Sequence, residues 1–128
     1  MAGERVLIAD DDPIILNFLS ALLRDKGYQV ITAEDGKRTL EAAIIYNPDV
    51  IVTDLVMPYM DGFEIIKVLK GEPRLKNIPV IILSMKDKEE DIVKGLEEGA
   101  DDYIIKPFNA LELATRIKKL LERVKRKK

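Results

Sequence analysis

Five polar residues close short apolar runs in this chain. Asp10 and Asp11 follow residues 5–9, Asp54 follows 50–53, Ser84 follows 80–83 and Lys106 follows 102–105. The run before Asp54, Val-Ile-Val-Thr, is β-branched throughout, the composition of a strand buried on both faces of a parallel sheet. A carboxylate at the carboxyl end of such a strand lies where open α/β sheets place their ligands. Asp54 is therefore read as a nucleophile that accepts a phosphoryl group. Taken alone it is more simply a loop or cap residue, and its companions decide the matter. Three carboxylates gathered within a few ångströms repel by on the order of several kcal/mol unless a cation sits among them. Mg²⁺ suits the site best, since it keeps several waters, needs one or two carboxylates and accepts a phosphate oxygen. Lys106 would pair first with Asp54 and then with the added phosphoryl oxygens, while Ser84 would donate a hydrogen bond to one of them. No general base is required, because a carboxylate is ionised at neutral pH.

The groups converge only if the apolar runs lie side by side and parallel, and the intervening sequence supplies the crossovers. Asp12-Pro13 reads as a helix start, with Asp as N-cap and Pro in the first turn, and Gly27 as its stop. Residues 28–33 read as a second strand, followed by the Asp35-Gly36 turn and a helix through Leu40, Ala43 and Ile44 that ends at Asn47-Pro48. After Asp54 a loop with Pro58 and Gly62 leads to a helix bearing Phe63, Ile65, Ile66 and Leu69. A charged helix start at residues 87–91 is expected to carry Ile92, Val93 and Leu96 inward and to stop near Gly99. Asn109, with Glu112 three residues on, opens a final helix through Leu113, Ile117, Leu120, Leu121 and Val124. Five strands alternating with five helices imply an α/β fold: a doubly wound parallel sheet with right-handed crossovers.

Composition narrows the chemistry. The 128 residues contain no cysteine and no histidine, which excludes thiol chemistry and the usual zinc, copper and haem sites and leaves oxygen-ligated metals. The length suits a single domain, 1–128, and no stretch has the length and apolarity of a membrane span or a signal peptide, so a cytoplasmic protein is expected. Net charge is −2 but uneven: residues 1–115 carry 13 basic and 22 acidic side chains, whereas 116–128 carry eight basic and one acidic. The basic end reads as the solvated C-terminal turns of the last helix, where cations oppose the helix dipole, rather than as a nucleic-acid site.

Asp10-Asp11, Asp54 with Met57-Pro58 and Gly62, Ser84, and Lys106-Pro107 together resemble the motif set of response-regulator receiver domains, over nearly the whole chain. The resemblance implies a flavodoxin-like sheet of order 2-1-3-4-5. It implies two-component phosphorelay signalling, in which Asp54 takes a phosphoryl group from a phosphohistidine on a sensor histidine kinase. Such a protein is a phosphoacceptor switch that catalyses its own phosphorylation and dephosphorylation rather than a conventional enzyme. Mg²⁺ would be bound by Asp11 directly, by Asp10 largely through water, and by Asp54 and the backbone carbonyl of Val56. The Lys106-Pro107 bond is expected to be cis. Ser84 and Tyr103 are the implied switch pair, the hydroxyl moving toward the phosphoryl group as the aromatic ring turns inward.

The stretch from Glu90 to Arg123 is most similar to receivers of the OmpR/PhoB type, which implies a downstream partner or a homodimer docked through the fourth helix, fifth strand and fifth helix. Asp101 or Asp102 with Arg116, and Glu97 with Lys118 or Arg123, are the expected ion pairs of that dimer, while Ile92 stands where a basic partner for Glu112 is usual. Met85 stands where a small residue is common, and its bulk narrows the approach to Asp54. Val56 and Lys86, each two residues past a site residue, are expected to slow phosphate loss. Competing readings are weaker. An aspartate-nucleophile phosphatase needs a second acid where Val56 stands, and a flavin phosphate would be repelled by Asp10, Asp11 and Asp12. A receiver-like interaction module working without phosphorylation is the remaining alternative.

Overall fold

A computed structural model of the chain describes residues 3–126, with side chains for 3–124. The apolar runs become β1 (Arg5–Ala9), β2 (Gln29–Ala33), β3 (Val50–Thr53), β4 (Val80–Ser84) and β5 (Asp102–Ile105). They pair in parallel in the order β2-β1-β3-β4-β5, as the resemblance implies. The register aligns the strand ends, with Ala9 opposite Thr53, Thr53 opposite Ile82, and Ser84 opposite Ile105. The residues after β1, β3 and β5 therefore emerge on one edge of the sheet, as do Ser84 and the loop after β4.

Alternation along the strands splits the core in two. Leu7, Ile51 and Ile82 face α2 (Gly36–Tyr46) and α3 (Gly62–Gly71), meeting Ala43, Ile65, Ile66 and Leu69. Val6, Ile8, Val52 and Ile81 face α1 (Pro13–Asp25) and α5 (Ala110–Arg126), meeting Leu19, Leu23, Leu113 and Ile117. Each fully buried Leu or Ile contributes about 1.5–3 kcal/mol, which is why β3 and β4 carry no polar residue before their last position.

The helix starts are set by side-chain caps. Asp12 accepts from the Ile14 N–H, Asp35 from Arg38, Asn109 from Glu112, and Asp61 forms a full capping box with Glu64. The fourth helix, α4 (Glu89–Glu98), departs from expectation. Lys88 stands at its N-cap and makes no side-chain cap bond. Val93 and Leu96 are each 44% exposed, not inward. The reason is helical geometry: Gly95 is the residue pressed onto the sheet, so its neighbours at 93 and 96 turn outward. In α1, Ile14 and Phe18 likewise face outward while Leu16 is buried; the Phe18 ring lies 6.3 Å from that of Phe108. No helix among the described residues is long and apolar enough to cross a membrane.

Candidate functional site

The loops leaving β1, β3 and β5 bring their charges together. Lys106 Nζ donates to Asp10 Oδ2 at 2.7 Å and to Asp54 Oδ2 at 2.9 Å, across 96 and 52 residues of sequence. All three side chains are nearly buried. Asp54 Oδ1 accepts from the backbone N–H of Leu55 at 2.6 Å and of Val56 at 3.3 Å, and Asp10 Oδ1 accepts from the Asp12 N–H at 2.9 Å. Both carboxylates are thus fixed in orientation before any ligand arrives. No sequence signal announces these amides, since every residue other than proline carries one. Burial pushes the Asp10 carboxyl above its ordinary value of 3.8, against the lowering pull of the bonds from Lys106 and Asp12. Burial also works to lower the Lys106 ammonium, but its bonds to Asp10 and Asp54 and their charges outweigh it and leave Lys106 raised.

Asp11 completes the group from the solvent side. One carboxylate oxygen from each of Asp10, Asp11 and Asp54 lies within 4.8 Å of the others. A set of oxygens alone, two buried and one exposed, fits a hard divalent ion that keeps part of its water shell. Ser84 ends β4 fully buried, its Oγ accepting from the Lys86 N–H at 3.1 Å, and its carbonyl accepts from the Lys106 N–H at 2.8 Å. Val56 and Met85 are both exposed on the same edge. The Lys106-Pro107 bond is cis, as expected. Tyr103 is half-buried, and its hydroxyl donates to the Lys86 carbonyl at 2.6 Å. Burial first, with the charges of Asp91, Asp54 and Asp87, raises that phenol above its ordinary value.

Glycine fixes the β3–α3 loop. A Cβ on Gly62 would lie 2.5 Å from the Asp54 carbonyl oxygen and 2.8 Å from Leu55 Cα, and its N–H donates to the Leu55 carbonyl at 2.9 Å. The Asp61-Gly62 pair in the sequence is the visible trace of this close approach.

Residues 6–118 match the family described as the response regulator receiver domain. The chain belongs to the response regulator receiver family. This receiver is 42% identical over 121 residues to the alkaline phosphatase synthesis transcriptional regulatory protein PhoP of Bacillus subtilis, covering 94% of this chain and 50% of that protein. The receiver domain of the Francisella response regulator 1452 superposes with a TM-score of 0.88 at 42% identity, covering 94% of this chain and 98% of that one. A CheY-like receiver domain protein from Methanospirillum hungatei gives 0.93 at 28% identity, covering 99% of this chain and 100% of that one. The receiver spans about half the length of the curated relatives it matches. Those relatives are regulators of the OmpR/PhoB type, as the resemblance implied.

Of the ion pairs expected across a dimer, Asp102 with Arg116 closes within one chain here, while Arg123 meets Asp101 rather than the expected Glu97. Arg116 Nη1 donates to both oxygens of Asp102 at 2.7 and 2.8 Å, and Arg123 donates to Asp101 at 2.8 Å. Glu112 lies 3.9 Å from Arg116, so it has a cation neighbour despite Ile92.

Asp11 makes a direct test of the carboxylate cluster, because it adds repulsion without holding Lys106. Asp11→Asn is expected to raise metal-free stability by about 1 kcal/mol and, with a divalent ion such as Mg²⁺ seated among the three carboxylates, to remove the stabilisation that the ion would give. Urea denaturation with and without Mg²⁺ measures both; an unchanged Mg²⁺ increment contradicts the role.

Proposed function

We propose that this receiver takes a phosphoryl group from the phosphohistidine of a sensor histidine kinase onto Asp54, in a site assembled by Asp10, Asp11, Asp54, Ser84 and Lys106. The observation that carries the reading is the shared Lys106 ammonium, bonded to both Asp10 and Asp54 at the mouth of the parallel sheet. Mg²⁺ would be held by the carboxylates of Asp10, Asp11 and Asp54, with the Val56 carbonyl as a further ligand. When bound it supplies charge neutralisation and orientation for an incoming phosphoryl group. An Asp54 carboxylate oxygen forms the bond to phosphorus as the phosphorus–nitrogen bond breaks, and the imidazole leaves with that electron pair and takes up a proton. Lys106 releases its bond to Asp54 and donates to a phosphoryl oxygen, and Ser84 Oγ turns from the Lys86 amide to donate to another. The receiver itself thereby catalyses both gain and loss of the group. Output passes through α4, β5 and α5, to a downstream partner or a second copy.

Incubation with acetyl phosphate and Mg²⁺ followed by intact mass measurement tests the reading. A gain of one phosphoryl mass, absent in Asp54→Asn and absent when Mg²⁺ is chelated, is expected. No gain in the wild type would favour the interaction module that works without phosphate. The lifetime is set locally: exposed apolar Val56 lies beside the acceptor, where a polar side chain would help hold an attacking water. Val56→Asn is expected to speed phosphate loss several-fold, on the order of 10-fold at most for one positioned hydrogen bond. Timed dephosphorylation of the two proteins checks it, and equal rates refute it.

A further inference from the structure

The helices are unequally held. α1, α3 and α5 each bury several large apolar side chains, whereas Gly95 alone is buried in α4. A glycine inside a helix costs about 1 kcal/mol against alanine, so its place here calls for a steric reason. A Cβ at 95 would come 2.6 Å from Ile82 Cδ1 and 3.4 and 3.5 Å from the Tyr103 ring. Ile82 is fully buried and has little room to withdraw. The remaining side-chain ties of α4 lie toward α3: Lys94 over the Phe63 ring at 4.4 Å, and a loose Glu98–Lys67 pair at 3.9 Å.

The same tyrosine reaches the other way. Its hydroxyl is bonded to the Lys86 carbonyl, and the Lys86 N–H is bonded to Ser84 Oγ. One short line of contacts, Ser84 to Lys86 to Tyr103 to Gly95, joins the floor of the acidic site to the middle of α4.

We propose that Gly95, resting on Ile82 and the Tyr103 ring, is the seat that docks α4, so that α4 opens as a unit separately from the rest of the receiver. Gly95 is a positioning residue: it touches no reacting group and acts through Tyr103. Opening exposes the half-buried Ile92 beside the already outward Val93 and Leu96. Any rearrangement of Ser84 that withdraws the Lys86 carbonyl from Tyr103 shifts the seat. This last link rests on the proposed phosphorylation of Asp54; the seat itself does not.

Hydrogen–deuterium exchange on the unphosphorylated full chain tests it, comparing peptides over residues 89–98 with those over 62–71 and 110–122. Wild-type α4 is expected to exchange about tenfold faster than α3. Propensity alone predicts that Gly95→Ala slows α4 exchange about fivefold; the seat predicts acceleration confined to α4. Adding Ile82→Val, which removes the obstructing Cδ1, is expected to reverse that acceleration relative to Ile82→Val alone. Slower α4 exchange in Gly95→Ala overturns the proposal, as does acceleration shared equally by α3 and α5, or a double variant no slower in α4 than Ile82→Val alone. Phosphorylation plays no part in these measurements, so they decide for or against the seat even if Asp54 fails to accept phosphate. Exchange repeated after acetyl phosphate and Mg²⁺, with Asp54→Asn as control, then reads the link to the site: a change confined to α4 and to the wild type is expected, and phosphorylation that leaves α4 unchanged overturns the link.

Discussion

Replacing Lys106 with methionine is expected to destabilise the metal-free receiver by about 3–5 kcal/mol, the usual cost of stranding the partner of a buried ion pair. Among the described residues Lys106 is the only cation bonded to the carboxylate cluster, and the two acids it serves are nearly buried. Methionine keeps much of the side-chain length, so packing loss is small and charge loss dominates. Mg²⁺ should restore a large part of the deficit, about 2.7 kcal/mol at a hundredfold excess over its dissociation constant. The pH dependence has a definite sign. Asp10 already has a raised folded value through burial, and removing the lysine removes the leading opposing influence. A carboxyl group whose folded value exceeds its unfolded one stabilises the fold below the unfolded value and loses that contribution as pH rises through the folded value. The variant's deficit against wild type is therefore smallest near pH 4 and grows toward neutrality. Acetyl phosphate labelling should slow by about 10²-fold, the cost of losing one fixed donor to developing negative charge. Urea titrations across pH, with and without Mg²⁺, provide the check. A deficit indifferent to both would mean that Lys106 merely fills space.

Much of this site is legible in the sequence, and the reason is topological. In a parallel sheet every strand ends on the same edge, so a polar residue closing an apolar run already has an address. Asp10, Asp11, Asp54 and Lys106 are found by that rule, and Ser84 by the same rule one position inside β4. Helix faces are less legible. Val93 and Leu96 have the spacing of an inward stripe, yet the inward position is Gly95, because Ile82 and the Tyr103 ring take the room that a side chain would need. Ion pairs are the least legible. Charge pattern marks Arg116 as a partner of Asp101 or Asp102, but it assigns Arg123 to Glu97 where the structure joins it to Asp101, and spacing says nothing of whether a pair closes within a chain or between two.

Gly62 carries the second large effect. It begins α3 directly behind the end of β3, and the atoms its missing Cβ would strike are the Asp54 carbonyl oxygen and Leu55 Cα, both backbone. A flexible side chain could swing aside; this backbone is held by the Asp54 N–H to the Ala9 carbonyl at 3.0 Å and by the Gly62 N–H to Leu55. Gly62→Ala must therefore push α3 away or drag the end of β3 with it. A loss of about 3 kcal/mol is expected, lowering the melting temperature by roughly 10 °C. Gly71, at the other end of the same helix, is open: a Cβ there would meet nothing within 4 Å. Gly71→Ala should be neutral or stabilising by up to about 1 kcal/mol, which separates the steric cause from any general intolerance of α3 to alanine. The clash falls on the residue that bears the proposed acceptor carboxylate, so Gly62→Ala should also slow labelling by acetyl phosphate when assayed well below its melting temperature, while Gly71→Ala labels at the wild-type rate. Equal melting temperatures for the two variants would mean that the β3–α3 loop yields freely, and a loop that yields could not hold Asp54 against Lys106 in the way the geometry requires.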